Sequence, residues 1–178
     1  LATLLLVTNL TSLTTLHLSR IGLTNASSFT RLTALTDLAF DANPGLTNLS
    51  FVSSLTNLTY LSAGQLTISN LGVFSALKKL TEIHLHDDTN LTSITPLFGL
   101  TNLNNLDLNN CPLVNYTAVT NLPGLQWLYL DSDNLQSASF VLSLTNLHGL
   151  SLNNNRFTSL DSLAGARLGQ FNIANNRL

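Results

Sequence analysis

Leucines punctuate this 178-residue chain in a phrase of the form L-x-x-L-x-x-L-x-L. The first leucine of each copy is Leu10, Leu32, Leu55, Leu77, Leu100, Leu122 and Leu144, so successive copies begin 22 or 23 residues apart. An eighth copy, phased on Gly165, runs through Leu168, Phe171 and Ile173 to Leu178. A fixed period in this range predicts a solenoid of about eight coils, each packed only on its neighbours.

Within one copy the segment around Leu106 and Leu108 alternates apolar and polar residues, the period of a strand with one buried face. Parallel strands one repeat apart stack at about 4.8 Å, so eight make a ribbon on the order of 38 Å long. The remaining leucines, here Leu100, Leu103 and Leu113, turn inward from the returning arm. Burying one such side chain is worth roughly 1.5–3 kcal/mol. One coil has too few of them to offset its backbone entropy, so each repeat needs the next. In the back half, Ile94 and Leu97, or Leu160 and Leu163, lie three apart; this suits a tight 3₁₀ turn, leaves too little chain for an α-helix, and predicts a gently bent rod.

Three residues after the second strand leucine stands a column of Asn43, Asp88, Asp133, Asn155 and Asn176, interrupted by Ile21, Leu66 and Cys111. The backbone must turn there while buried, and an Asn amide both donates and accepts. The column therefore predicts a hydrogen-bonded ladder, with drier and locally different turns at Ile21 and Leu66.

The copies Leu-Thr-Asn-Leu at 55–58, 100–103 and 144–147, with the returning arms Ser93-Ile94-Thr95-Pro96-Leu97 and Leu160-Asp161-Ser162-Leu163, resemble the leucine-rich repeat proteins over essentially the whole chain. The resemblance is to the short 22-residue class found in bacterial internalins. It implies an α/β right-handed solenoid with a concave parallel β-sheet and a short 3₁₀ or loop convex side. It also implies protein recognition and, often, an extracellular location. The chain departs from that pattern in lacking recognisable caps, so 1–178 is read as one uncapped repeat domain, part of a longer chain or a stacking unit.

Composition adds a location. Charged residues make up 9% of the chain, against roughly 25% in typical soluble domains, and Thr, Ser and Asn take their places. Such a neutral, hydrogen-bonding exterior suits an extracellular or cell-surface protein better than an intracellular scaffold of the same repeat class. A net charge of −2 gives no basic patch for nucleic acid or anionic lipid. No apolar run reaches the roughly 18 residues of a membrane span. The opening Leu1–Val7 mimics the core of a signal peptide, but Val7-Thr8-Asn9-Leu10 aligns with Val119-Thr120-Asn121-Leu122 and reads as the tail of a repeat. Cys111, the single cysteine, has no partner for an internal disulfide and is expected in the core.

The outward strand positions form three columns, and the aromatic and ionisable residues gather in repeats three to six: Tyr60, Glu82, His84, His86, Asp107, Trp127, Tyr129 and Asp131. Exposed Trp and Tyr are common anchors of binding surfaces, so this patch is the candidate site for a protein or glycan partner, in the manner of an adhesin or receptor. His84, His86 and Asp107 have the residue types of a zinc site. A flat open sheet does not readily add a fourth ligand or an outer shell, so solvated histidines and no metal or cofactor are expected. No Ser or Cys111 pairs with a histidine in a niche, and no enzyme activity is expected. Six sequons, at Asn9, Asn25, Asn48, Asn57, Asn90 and Asn115, are candidate N-glycosylation sites, although composition alone produces about this many. Finally, a second chain placed after the eighth copy would bring its Leu10 in register, 23 residues on from Gly165. Head-to-tail stacking into a filament is thus an alternative from a different functional class.

Overall fold

A computed structural model describes Val7 and residues 9–178. Of the opening segment, residues 1–6 and 8 lie outside the described part. Val7 is packed against the core, and its carbonyl accepts Leu10 N–H at 3.0 Å, as Val119 accepts Leu122 N–H at 3.0 Å. The repeat phase therefore reaches back to Val7.

The described residues form one sheet of eight parallel strands in chain order: β1 (Thr15–His17), β2 (Asp37–Ala39), β3 (Tyr60–Ser62), β4 (Glu82–His84), β5 (Asn105–Asp107), β6 (Trp127–Tyr129), β7 (Gly149–Ser151) and β8 (Gln170–Asn172). The register pairs like positions of successive repeats, Ile83 with Leu106 and Leu106 with Leu128. Seven short 3₁₀ turns line the opposite side, from Ser27–Arg31 to Asp161–Leu163. Five of them are closed by an i→i+3 bond ending on a motif leucine, for instance Leu32 N–H to Phe29 O and Leu77 N–H to Phe74 O, both at 2.9 Å. This is the solenoid that the leucine period predicts, with the parallel sheet and short 3₁₀ side that the leucine-rich repeat resemblance implies.

The core runs the length of the coil. The motif leucines from Leu32 to Leu130 are buried, and Phe29, Phe51 and Phe74 fill the space under the 3₁₀ turns; Phe29 and Phe51 meet edge to face at 5.9 Å. Beyond β7 the covering thins, and Phe171 of β8 is 37% exposed.

The buried ladder forms at its asparagines. Asn43 Oδ1 accepts Leu23 N–H at 2.8 Å while its Nδ2 donates to Leu18 O and Phe40 O at 3.0 and 2.7 Å. Asn155 and Asn176 repeat the pattern across the following coils. The residue before each ladder position has a positive φ, from Arg20 to Asn175. The coils holding Ile21 and Leu66 are locally different, as expected: a second positive φ follows, at Gly22 and Thr67. So does the Asp133 coil, at Asn134. Ile21 is not in a dry turn, since it is 50% exposed; Leu66 is buried.

Aspartate at a ladder position changes the chemistry. Asp88 Oδ1 accepts Leu66 N–H at 2.9 Å and Asp133 Oδ1 accepts Cys111 N–H at 2.9 Å. Their Oδ2 atoms are buried with no hydrogen-bond partner among the described residues, because they stand where an Asn amino group would donate to strand carbonyls. Burial pushes Asp88 up to about 6 and Asp133 up to about 8. Between them in the ladder, Cys111 is buried as expected; its Sγ takes over the donor role toward Leu85 O at 3.0 Å, and burial raises its thiol to about 12.

Candidate functional site

The concave face is built from three outward columns: the first residue of each strand, the third, and the position two beyond it. All eight predicted residues lie in these columns and are half-buried against their neighbours.

The third column is a second ladder. Asp41 Oδ1 accepts Gly64 N–H at 2.9 Å and Ser62 Oγ–H at 2.6 Å. Asn109 Oδ1 accepts Asp131 N–H at 2.6 Å, Asp131 Oδ1 accepts Asn153 N–H at 2.7 Å, and Asn153 Oδ1 accepts Ala174 N–H at 2.7 Å. In four coils the amide two residues beyond the strand, at Gly64, Asp131, Asn153 and Ala174, takes its acceptor from an Asp or Asn one coil earlier. Burial raises the Asp41 carboxyl, but the hydrogen bonds from Ser62, Gly64 and Ser19 outweigh it and hold the pKa below the ordinary value. Asp131 belongs to this ladder: its Oδ1 also accepts Ser151 Oγ–H, and its Oδ2 accepts Asn153 Nδ2–H at 3.2 Å.

His86 occupies the same column and has no carboxamide to offer Asn109. Asp107 fills in, its Oδ1 accepting Asn109 N–H at 3.0 Å. That bond fixes the carboxylate plane and turns Oδ2 toward both histidines, 3.2 Å from His84 Nδ1 and 3.6 Å from His86 Nδ1. Room for the His86 ring comes from Gly64 of the preceding coil, where a Cβ would stand 2.8 Å from His86 Nδ1 and Cε1. On its other side His84 Nε2 meets Glu82 Oε1 at 2.7 Å, and Asn105 Nδ2 donates to the same oxygen at 3.1 Å. The Tyr60 ring lies tilted against His84 at 5.5 Å. Hydrogen bonding to Asp107, joined by Glu82, holds the His84 imidazole above its ordinary pKa despite burial.

The side chains of His84, His86 and Asp107 are only 21%, 29% and 14% exposed. The sequence pattern expects solvated histidines here; the structure instead packs them into a supported cluster, because Asp107 and Gly64 draw both rings down onto the sheet.

Trp127 does not stand free. Its indole lies over Gly149 of β7, where even a methyl group would collide with ring carbon Cε3, and it meets His148 edge to face at 5.2 Å. Tyr129 sits one column along, and burial, with the charges of Glu82 and Asp107, raises its hydroxyl pKa. The patch thus has an ionic centre on β4 and β5, with Tyr60 on one side and Trp127 and Tyr129 on the other.

Elsewhere, five sequon asparagines, Asn9, Asn25, Asn48, Asn90 and Asn115, are exposed, while Asn57 is half-buried and accepts from Lys79 Nζ at 2.7 Å. Asn25, Asn48 and Asn115 already have a local role, each Oδ1 accepting the backbone N–H two residues on at the start of a 3₁₀ turn. The hollow lined by Leu46, Leu49, Leu66, Ile68 and Val73 is on the flank of the coil, with none of the concave-face residues in its wall. No helix among the described residues is long and apolar enough to cross a membrane.

No family model and no curated protein matches the sequence. Solved structures do match the fold. An internalin C2 of Listeria monocytogenes superposes with a TM-score of 0.83 at 28% identity, covering 94% of this chain and 74% of that one. A second internalin of the same species, inlF, gives 0.74 at 23% identity, with 95% and 57% covered. A leucine-rich repeat protein of Leptospira interrogans gives 0.81 at 24% identity, with 97% and 46% covered. The last two, below 25% identity, speak to the fold alone. The chain is therefore an internalin-like leucine-rich repeat solenoid, a fold whose similarity to these proteins suggests protein binding.

Proposed function

We propose that this chain is a non-enzymatic recognition domain that binds a protein partner on its concave face, outside the cell. The contact surface comprises Tyr60, Glu82, His84, His86, Asp107, Trp127, Tyr129 and Asp131, with the aromatic rings as anchors and the ionic cluster as the source of specificity. The observation that carries this reading is the concentration of half-exposed aromatic and ionisable side chains on four adjacent strands of a rigid sheet. Asp131, engaged in the second ladder, contributes by holding its neighbours in place. The low charge content and the likeness to internalins support the extracellular setting.

A photo-crosslinking amino acid at Tyr129, compared with one at Thr30 on the convex side, tests the placement. The partner is expected to be captured from intact cell surfaces through position 129 only. The double variant Trp127→Ala, Tyr129→Ala should then weaken binding by about 30-fold or more, the effect of losing about 2 kcal/mol of anchor energy. Capture through Thr30 alone, or unchanged affinity in the double variant, would refute it.

A further inference from the structure

We infer that His84, His86 and Asp107 form a binding site for one divalent transition cation of the zinc type on the concave face. Three ligand-type atoms, His84 Nδ1, His86 Nδ1 and Asp107 Oδ2, converge there, all within 4.8 Å of one another. The two separations from Asp107 Oδ2, 3.2 and 3.6 Å, bracket the edge of about 3.3 Å expected between tetrahedral ligands at roughly 2.0–2.1 Å from a metal. His86 Nδ1 is buried and has no hydrogen-bond partner among the described residues. A proton on His84 Nδ1 can bridge to Asp107, but it leaves His86 Nδ1 without a partner, whereas one cation displacing that proton would engage all three atoms.

An outer shell supports two of the three ligands, His84 and Asp107. Glu82 Oε1 engages the far nitrogen of His84 at 2.7 Å and so can accept a proton held on Nε2 when Nδ1 coordinates; Asn105 Nδ2 in turn steadies Glu82. This is the carboxylate–histidine arrangement that orients metal-bound imidazoles and strengthens their basicity. Asn109 N–H fixes Asp107 through Oδ1 and so presents Oδ2. Gly64 leaves the space in which the His86 ring lies. The site offers three protein ligands and faces the open side of the sheet. A fourth position is therefore available to water or to a donor atom of a docked molecule. The inference does not depend on the proposed protein partner, since the ion binds to the chain alone.

Calorimetric titration of the chain with zinc chloride near neutral pH should show one ion bound per chain. Cobalt(II) in place of zinc should give the visible absorption of four-coordinate cobalt. Removing an outer-shell partner of a metal site weakens it about 10–100-fold, so Glu82→Gln is expected to fall in that range with the stoichiometry unchanged. His86→Ala and Asp107→Asn should each lose at least about 100-fold, the upper end of that same scale. Asp107→Asn is isosteric and keeps the oxygen that accepts from Asn109, so it reports on the site even if His86→Ala folds poorly. His148→Ala, on a neighbouring part of the same face, should bind as the parent does. Absence of saturable binding would overturn the assignment, and so would one-to-one binding that survives Asp107→Asn.

Discussion

Replacing Asp133 by Asn should stabilise the solenoid, and by an amount that grows with pH. In the folded chain Asp133 is 8% exposed, its Oδ1 accepts Cys111 N–H, and its Oδ2 lacks a partner among the described residues. Asn155, one coil on, shows what the position favours: the same acceptor role with an amino group donating to Leu130 O at 2.7 Å. The carboxyl is held at about 8 instead of its ordinary 3.8, so ionising it costs the fold about 6 kcal/mol at 1.36 kcal/mol per pH unit. Between those two values the folded chain keeps a proton that the unfolded chain releases. Stability therefore falls as pH rises through the window, and the loss is complete above the folded value. About 1–2 kcal/mol is lost by pH 5 and the remainder, about 4 kcal/mol, between pH 5 and pH 9. At about 2–4 °C per kcal/mol for a chain of this size, the melting advantage of Asp133→Asn should widen by roughly 8–16 °C over that range. Thermal melts followed by far-UV circular dichroism across the pH series measure it directly. Parallel pH profiles for the two proteins, or a lower melting temperature for the variant at pH 9, would refute the reasoning. Asp88→Asn should behave in the same way on a smaller scale, about 3 kcal/mol, with its window closing near pH 6.

Three other outcomes are expected. Leu130→Asp places a charge at a fully buried position and should cost several kcal/mol, unfolding the middle coils; a native-like melt of that variant would mean the inward register is wrong. Gly149→Ala pushes a methyl group into the indole of Trp127, the single tryptophan of the chain, so its fluorescence should shift to the red with a stability change under about 1 kcal/mol; unchanged emission would contradict the packing. The Cys111 thiol, buried and raised to about 12, should ignore a disulfide-exchange reagent until the chain is denatured, whereas prompt reaction in the native state would show that the coil opens there.

Much of this architecture is legible in the leucines because a period of 22 or 23 residues constrains every inward position at once. The ladder asparagines are legible for a similar reason: a buried turn leaves amides and carbonyls that only a few side chains can serve. The concave face is harder. Columns can be written down from the register, and they place Asp107 beside His84 and the aromatic residues on neighbouring strands. They do not reveal that Asp41, Asn109, Asp131 and Asn153 reach forward to the next coil. That reach depends on strands only three residues long, whose terminal amides lie beyond the β-bridges. Nor do they reveal that a histidine in that column leaves an amide for Asp107 to serve. A Gly one strand before His86 and a Gly one strand after Trp127 are the faint signals that these rings lie down on the sheet; a column read without its neighbours misses both.

Because the column through Asp41, Asn109, Asp131 and Asn153 is wired from coil to coil, the concave face is not a freely writable grid. Over generations, a coil that keeps its Asp or Asn there leaves only the other two outward positions to drift toward a new partner. In the coil after His86, the amide is served instead by Asp107 of the adjoining strand. His86 and Asp107 are thus a linked pair, and a change at one bears on the backbone bond that the other makes.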